Sequence, residues 1–281
     1  MIYVKPIEKK ELLQLVAQPK FKKNNGQILA GGSDLLVKME HFGLKPGMIV
    51  DVKRIKSLRG ITKDDNVISI GSLTTVTDLL ESKLLALHAH LLSQSADSFA
   101  AVQIRNRSTI GGNICNGSPA GDLIPPLYAL GAKLKLESVR GIRSVDVDKF
   151  FKGPGKTVLK SDEILSEISF NALPPSSTGK FYKLGQRESM AIATVALAVI
   201  YNSNNGKFED VRIALGAVAP TVIRAYKAEK ILEGSNRLSE IIEKAAKMAV
   251  SECSPISDVR GSADYRRLMV ERLLSELMFG V

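Results

Sequence analysis

The segment Ala30-Gly31-Gly32-Ser33-Asp34-Leu35-Leu36 decides the fold, because it joins an apolar strand pattern at 27–30 to a helical pattern at 35–42. Glycine lacks a Cβ, so backbone N–H groups in such a turn can approach an anion closely, and Ser33 adds a hydroxyl donor. The segment is neither GxGxxG nor a Walker A loop, so it indicates neither a Rossmann dinucleotide fold nor a P-loop. On its own, a glycine pair in this position is more often only a tight turn.

A second segment of the same kind, Thr109-Ile110-Gly111-Gly112-Asn113, follows the run 103–108. Two separate loops that suit phosphate groups predict a diphosphate ligand held from both sides. Asp122 lies a little further on, and its carboxylate cannot stabilise a phosphate. It could cap the helix that follows, or accept hydrogen bonds from a ribose or ribityl hydroxyl.

The pattern on either side of these segments predicts mixed helices and strands. The first fifty residues are expected to form a βαβ-like unit, with helices at 7–18 and 35–42 and strands at 27–30 and 48–52. A strand is predicted at 67–71, and a capping box at Thr75 and Asp78 begins one amphipathic helix with leucines at 79, 80, 84, 87 and 91. A short helix at 123–130 and a half-buried strand through positions 132, 134 and 136 follow.

Turn-forming residues at 172–179 mark the best candidate for a domain boundary. Beyond this boundary, the hairpin signal at 202–206 separates strands predicted at 192–201 and 211–218. The rest of the chain is expected to be helical, at 225–232, 238–251 and 262–278.

Composition excludes several classes of function. No apolar run reaches the length of about 18 residues that spans a bilayer, and the N-terminus lacks a signal peptide's apolar core, so we expect a cytoplasmic protein without a membrane span. The formal net charge is +10, but the basic residues are scattered among acids and Trp is absent, which argues against nucleic acid as a partner. Two cysteines and three histidines predict no metal site, no iron–sulfur cluster and no catalytic triad in this chain.

Several longer motifs, in this order along the chain, resemble the FAD-binding medium subunits of molybdenum hydroxylases, a group that includes xanthine dehydrogenase, carbon monoxide dehydrogenase and aldehyde oxidoreductases. The motifs are Ala-Gly-Gly-Ser-Asp-Leu-Leu at 30–36, Gly-Ser-Leu-Thr-Thr at 71–75, the run 103–113, Arg-Ile-Ala-Leu-Gly-Ala-Val-Ala-Pro-Thr at 212–221, and Asp-Val-Arg-Gly-Ser-Ala-Asp-Tyr-Arg-Arg at 258–267. A single glycine pair does not identify a family, whereas several long motifs in this order do.

The resemblance implies an α+β fold with two parts. The first part is a two-subdomain FAD-binding fold of the vanillyl-alcohol oxidase type, and the second is a C-terminal domain of antiparallel sheet plus helices. We therefore expect FAD-binding subdomains at 1–57 and 58–173 and a C-terminal domain at 174–281.

The resemblance also implies which residues contact FAD. Those implied for the pyrophosphate are Leu29, Ala30, Gly31, Gly32, Ser33, Asp34, Leu35, Leu36, Thr109, Ile110, Gly111, Gly112 and Asn113, and those implied elsewhere on FAD are Phe99, Asp122, Leu165 and Lys183. Leu165 and Lys183 correspond to positions that flank the flavin ring, where Lys183 could stabilise negative charge on the reduced ring. Without the motifs, a core leucine and a solvated lysine would be the default interpretation. Cys115 could have a redox or covalent-flavin role, or it could be a small buried hydrophobic residue.

By this resemblance the chain is an oxidoreductase subunit. Substrate would be hydroxylated at a molybdenum cofactor in a large partner subunit, and electrons would pass through 2Fe–2S clusters of a small partner to FAD here and on to an external acceptor. The molybdenum subunit would determine the substrate, for which an aldehyde such as glyceraldehyde is preferred over carbon monoxide, purines or N-heterocycles. The alternatives are a stand-alone flavin oxidase or reductase of the same fold, and a non-enzymatic nucleotide-binding module.

Overall fold

The computed structural model describes residues 1–187 and 190–279, and the N-terminal part of the chain is a small parallel sheet with helical connections. The strands, in the spatial order β1-β3-β2, are β1 (Ile2–Val4), β2 (Gln27–Leu29) and β3 (Met48–Asp51). The helices are α1 (Lys9–Ala17), α2 (Pro19–Lys23) and α3 (Leu35–His41). All four residues of β3 are buried, as is typical of a central parallel strand. The predicted strand, glycine turn, helix and strand unit is confirmed, since β2 and β3 pair in parallel on either side of α3.

A five-stranded antiparallel sheet forms the middle of the chain. Its strands, in the spatial order β4-β5-β10-β6-β7, are β4 (Ile61–Asp64), β5 (Val67–Gly71), β6 (Lys133–Ser138), β7 (Gly141–Asp146) and β10 (Ile164–Asn171). A separate two-stranded sheet consists of β8 (Phe151–Gly153) and β9 (Lys156–Thr157). In β6, Leu134 and Leu136 are buried while Lys133 is exposed, which confirms the alternation predicted for this strand.

Seven helices of this middle part pack around the antiparallel sheet or connect its strands. They are α4 (Val76–Leu80), α5 (Lys83–His88), α6 (His90–Asp97), α7 (Val102–Arg105), α8 (Ile110–Asn116), α9 (Ile124–Ala129) and α10 (Val147–Phe150). The capping box at the start of α4 is confirmed. The Thr75 hydroxyl accepts the backbone N–H of Asp78, and the Asp78 carboxylate accepts the backbone N–H of Thr75.

The prediction of one amphipathic helix after Thr75 is wrong, because the chain forms α4, α5 and α6 instead. Ser82 begins α5 by accepting the backbone N–H of Leu85, and Ala89 ends it with a φ of −158°. Leu85 is therefore buried, whereas Leu87, which a single helix would bury, is 67% exposed.

The C-terminal part is an antiparallel sheet covered by long helices. Its strands, in spatial order, are β11 (Thr178–Leu184), β12 (Val195–Asn204), β13 (Lys207–Gly216) and β14 (Ile223–Arg224). Its helices are α11 (Tyr226–Leu232), α12 (Ser239–Glu252) and α13 (Ala263–Phe279). The predicted hairpin is confirmed, and Asn205 and Gly206 at its tip both have positive φ, as a two-residue type I′ turn requires.

Both faces of the C-terminal sheet are buried, and this arrangement joins the two halves of the molecule. In β12, Ala196, Ala198 and Ile200 pack into the core of the middle part, whereas Val195 and Leu197 pack against the C-terminal helices. The sheet is therefore sandwiched between α6 and α9 on one side and α11 to α13 on the other. Within residues 1–187 and 190–279, no helix combines the length and apolar character needed to cross a bilayer.

Candidate cofactor-binding site

The two glycine-rich segments predicted from the sequence meet in space. The hydroxyl oxygens of Ser33 and Ser108 lie 2.7 Å apart, which joins the first segment to the start of the second. A Cβ added to Gly31 would lie only 2.0 Å from the backbone oxygen of Arg107. Glycine at position 31 therefore allows the two segments to pack against each other.

The two segments differ in the hydrogen-bond donors that they offer. In the first, the backbone N–H groups of residues 31–35 have no acceptor among the described residues. Five consecutive free donors at a cavity wall are the arrangement that a phosphate group needs. In the second, the N–H groups of Ile110, Gly111, Gly112 and Asn113 are already bonded within the protein. The main-chain donors for an anion therefore come from the first segment.

The second segment contributes open space and a polar side chain. A Cβ on Gly112 would meet only the Thr109 hydroxyl, at 3.0 Å, so packing within the protein does not require glycine at this position. Because glycine has no side chain, it leaves space at the cavity wall. Asn113 Oδ1 is buried without a hydrogen-bond partner in the described chain. A buried polar atom without a partner is costly unless a ligand or water satisfies it, so Asn113 marks a binding position.

Two adjoining cavities lie along the segments and share Gln27, Ile28, Ala30, Thr109, Gly112 and Cys115 in their walls. The first, called here the loop cavity, has a volume of about 530 Å³ and is lined by residues 30–35, Lys38, Phe99, Asn113 and Asn116 among others. The second, called the apolar cavity, has a volume of about 380 Å³ and is lined by Leu12, Phe21, Leu58, Leu73 and Leu165 among others. Together they form one elongated site, which suits a dinucleotide whose diphosphate lies at the middle.

The structure brings most of the sequence-predicted residues to these cavities. Those that line a wall are Ala30, Gly31, Gly32, Ser33, Asp34, Leu35, Phe99, Thr109, Gly111, Gly112, Asn113 and Leu165. Leu29, Leu36, Ile110, Asp122 and Lys183 line neither cavity. Leu29 and Leu36 pack instead beside Gly32, whose φ of +85° requires glycine, and Ile110 is fully buried.

Asp122 and Lys183 form a buried ion pair with each other. The Lys183 ammonium lies 2.7 Å from Asp122 Oδ2 and also donates to the backbone oxygen of Ser98, 3.1 Å away. Burial raises the pKa of Asp122 to about 6, although the charge of Lys183 and its hydrogen bond act in the opposite direction. Asp122 does not cap α9, whose first turn has no side-chain cap.

Leu165 and Lys183 have different surroundings in the structure. Leu165 lies in the apolar cavity, while Lys183 lies beside Ser98, the neighbour of Phe99, which lines the loop cavity. Cys115 packs against the core of the middle part and also lines both cavities, and burial raises the pKa of its thiol to about 12.

Lys38 is a site residue that sequence reasoning missed. Its ammonium lies 2.8 Å from Asp34 Oδ2 and 2.7 Å from Asn116 Oδ1, and the side chain lines the loop cavity. A usable signal was present, because an acid and a lysine at i and i+4 on a predicted helix commonly pair. No group of three or more His, Cys, Asp or Glu side chains that could hold a metal is found within the described ranges.

Comparison with known proteins identifies the family of this chain. Residues 1–172 match the model described as the FAD binding domain in molybdopterin dehydrogenase, and residues 180–279 match the CO dehydrogenase flavoprotein C-terminal domain. The xanthine dehydrogenase FAD-binding subunit of Escherichia coli O157:H7 is 35% identical, over 90% of this chain and 87% of that protein. The glyceraldehyde dehydrogenase medium chain of Sulfolobus acidocaldarius is 33% identical, over 89% of this chain and 88% of that protein.

A solved structure agrees with this result. Carbon monoxide dehydrogenase from Hydrogenophaga pseudoflava superposes with a TM-score of 0.93 at 33% identity, covering 98% of this chain and 95% of the matched chain. The two family models, the relatives and the superposition all extend over nearly the whole chain. The FAD-binding and C-terminal parts expected from the sequence are thereby confirmed, and the chain belongs to the FAD-binding medium subunits of the molybdenum hydroxylases.

Proposed function

We propose that this chain is the electron-transfer subunit of a cytoplasmic heteromeric complex. In this proposal a large partner subunit holds the molybdenum cofactor and oxidises the substrate, and a small partner holds 2Fe–2S clusters that deliver electrons to FAD in this chain. Bound FAD would accept electrons one at a time and pass them to an external two-electron acceptor. The relatives support this assignment, because they are named as medium chains or FAD-binding subunits of dehydrogenases.

The free backbone donors of residues 31–35 carry the assignment of the cofactor site. We propose that these N–H groups bind the FAD pyrophosphate, with Gly112 allowing its close approach. The unpartnered Asn113 Oδ1 would accept a hydrogen bond from a cofactor hydroxyl beside the pyrophosphate. The remaining positions implied by the resemblance, from Leu29 to Leu36 and from Thr109 to Asn113, would shape the same cradle.

The ends of the site differ in chemistry, and this difference supports an orientation for FAD. The Asp122–Lys183 pair lies next to Ser98 and Phe99, so we propose that the flavin ring lies at this end, where the ammonium could stabilise a reduced, anionic ring. Leu165 lies in the apolar cavity, and we propose that it contacts the adenine end instead of flanking the flavin.

The chain divides into three structural units in this proposal. We propose units at 1–57, 58–173 and 174–281, because each of the three hydrophobic clusters draws most of its residues from one of these ranges. The end of the third unit lies outside the described residues.

Substrate choice belongs to the molybdenum subunit in this proposal. The relatives named for xanthine and for glyceraldehyde are 35% and 33% identical to this chain, so a change of substrate leaves the FAD subunit similar. An aldehyde such as glyceraldehyde stays a prediction, which oxidation assays of the purified complex with aldehydes, purines and carbon monoxide would test.

Purification from the source cell through a tag on this chain tests the assembly. We expect a large and a small subunit to copurify, and we expect the flavin absorbance of the complex to bleach when its substrate is added without oxygen. A chain that purifies alone, yet has its flavin reduced by a substrate of its own, would instead be a stand-alone flavin enzyme.

A further inference from the structure

We infer that Lys38 is a further cofactor-binding residue, whose ammonium supplies the positive charge that the FAD pyrophosphate needs in the loop cavity. The inference rests on the proposed binding of FAD between the two glycine-rich segments, and it names a contact beyond the positions that the sequence motifs imply. Lys38 lies on α3, directly after the first segment, and its side chain lines the same cavity as residues 30–35.

The charge balance of the cavity supports this role. Among the described residues that line it, Lys38 is the only cation and Asp34 the only anion. Each phosphate of the pyrophosphate carries a negative charge, so the Asp34 carboxylate would repel the cofactor if it were uncompensated. Lys38, whose ammonium lies 2.8 Å from Asp34 Oδ2, offsets this charge and brings an ammonium to the cavity that residues 31–35 also line.

The Lys38 ammonium also has a hydrogen-bond donor left for a ligand. A lysine ammonium has three N–H donors. One donates to Asn116 Oδ1 at 2.7 Å, and a second faces Asp34 Oδ2. The third has no partner among the described residues, and Asn116 and Asp34 hold the group in place from α8 and from the first segment. The side chain is therefore oriented and still able to donate.

The Lys38–Asp34 ion pair contributes little to the stability of the fold. The Lys38 and Asp34 side chains are 44% and 49% exposed, and exposed pairs of this kind contribute only about 0.2–1 kcal/mol. Replacing Lys38 should therefore leave the fold intact, so that a change in FAD affinity can be measured without a large change in stability.

The test is titration of the FAD-free full chain with FAD, for the wild type and for Lys38→Met, Lys38→Arg and Lys45→Met. Lys45→Met is the control, because it changes the net charge by the same amount as Lys38→Met at an exposed residue that lines neither cavity. We expect Lys38→Met to weaken FAD binding by about tenfold, as for a lost charge-assisted hydrogen bond. Lys38→Arg should recover most of the affinity, and Lys45→Met should bind like the wild type.

Two further measurements separate direct contact from an indirect effect. A direct contact makes the FAD affinity of the wild type fall more steeply with added salt than that of Lys38→Met. In an Asp34→Asn background, Lys38→Met should still weaken binding; loss of the effect there would mean that Lys38 only neutralises Asp34, which overturns the inference. Equal FAD affinity of folded Lys38→Met and wild type would also overturn it, whereas a wild type that binds no FAD would instead refute the proposed cofactor.

Discussion

At the scale of single residues, Arg266 is the largest fully buried side chain of the protein's described part, and it depends on Asp258 for its charge balance. Its guanidinium donates to the backbone oxygens of Thr194 and Ala217, at 2.6 and 2.8 Å, and lies 2.7 Å from Asp258 Oδ1. Ala217 has a positive φ of 63°, and its N–H donates to Pro119, which lies just after the second glycine-rich segment. Arg266 thus helps to hold the C-terminal sheet against the loop that follows α8.

This contact predicts an acid-dependent loss of stability. Hydrogen bonds from Arg260 first, and then from Arg266, lower the pKa of Asp258 to about 2. Since the folded pKa lies below the unfolded one, the contribution of Asp258 is complete above about pH 4 and is lost as the pH falls towards 2. Urea unfolding of wild type and Asp258→Asn should therefore differ by about 1–3 kcal/mol near pH 6, and by much less near pH 2. A difference that stays constant across this range would contradict the assigned role of Asp258.

Local sequence predicts some of the site at this scale and omits the rest. The turn at Gly31 and Gly32 follows from residues that are close in the chain. The Asp122–Lys183 pair does not, because it joins positions 61 residues apart and depends on how β11 packs on the middle part. Sequence motifs named both residues through the family resemblance, but only the structure shows that they bind each other.

At the scale of elements, the contact between α6 and β11 determines where Lys183 lies. β11 is an edge strand, and two of its backbone N–H groups, those of Gly179 and Phe181, donate to His90 and Gln94 on α6 at 2.9 and 2.8 Å. His90 and Gln94 are spaced i and i+4, so they lie on one face of the helix. Side chains of α6 therefore replace a neighbouring strand along this edge.

Replacing Gln94 tests this contact. Gln94→Leu leaves the Phe181 N–H without its acceptor, and we expect the free energy of unfolding to fall by about 1–3 kcal/mol. Because Lys183 follows two residues later in β11, FAD affinity should fall too. Gln14→Leu, at an exposed position of α1 that lines neither cavity, is the control. If urea unfolding and FAD titration of Gln94→Leu match those of this control, the α6 contact does not position β11.

Hydrophobic periodicity predicted the C-terminal helices and the β12–β13 hairpin, but it predicted no strand at β10 or β11 and missed where one helical region breaks. Leucine spacing after Thr75 fits a single helix, whereas the hydroxyl of Ser82 and the non-helical backbone of Ala89 divide it into three. Such breaks depend on how the helices pack around the core. This packing involves residues distant in the chain, so a short stretch of sequence does not reveal it. The hairpin at Asn205 and Gly206 was predictable because its signal is entirely local.

At the scale of the whole molecule, the C-terminal sheet connects the core of the middle part to the core of the C-terminal part. Because both of its faces are buried, the cores of the two halves share one element, and the buried pair Asp122–Lys183 crosses the same junction. Sequence reasoning placed a boundary near 172–179 but could not show this packing, since it depends on contacts between distant parts of the chain. The cavities are lined by the N-terminal and middle parts, and the Asp122–Lys183 pair ties the C-terminal part to the middle part.

The central claim is that residues 31–35 and 109–113 hold FAD, and equilibrium titration with FAD, followed by the visible flavin absorbance of the gel-filtered protein, tests it most directly. We predict that the wild type retains about one FAD per chain. Gly112→Val should lose FAD yet keep the thermal stability of the FAD-free wild type, because a side chain there meets only the Thr109 hydroxyl. A folded wild type that shows no flavin bands, or a Gly112→Val variant that binds FAD as tightly as the wild type, would contradict the account.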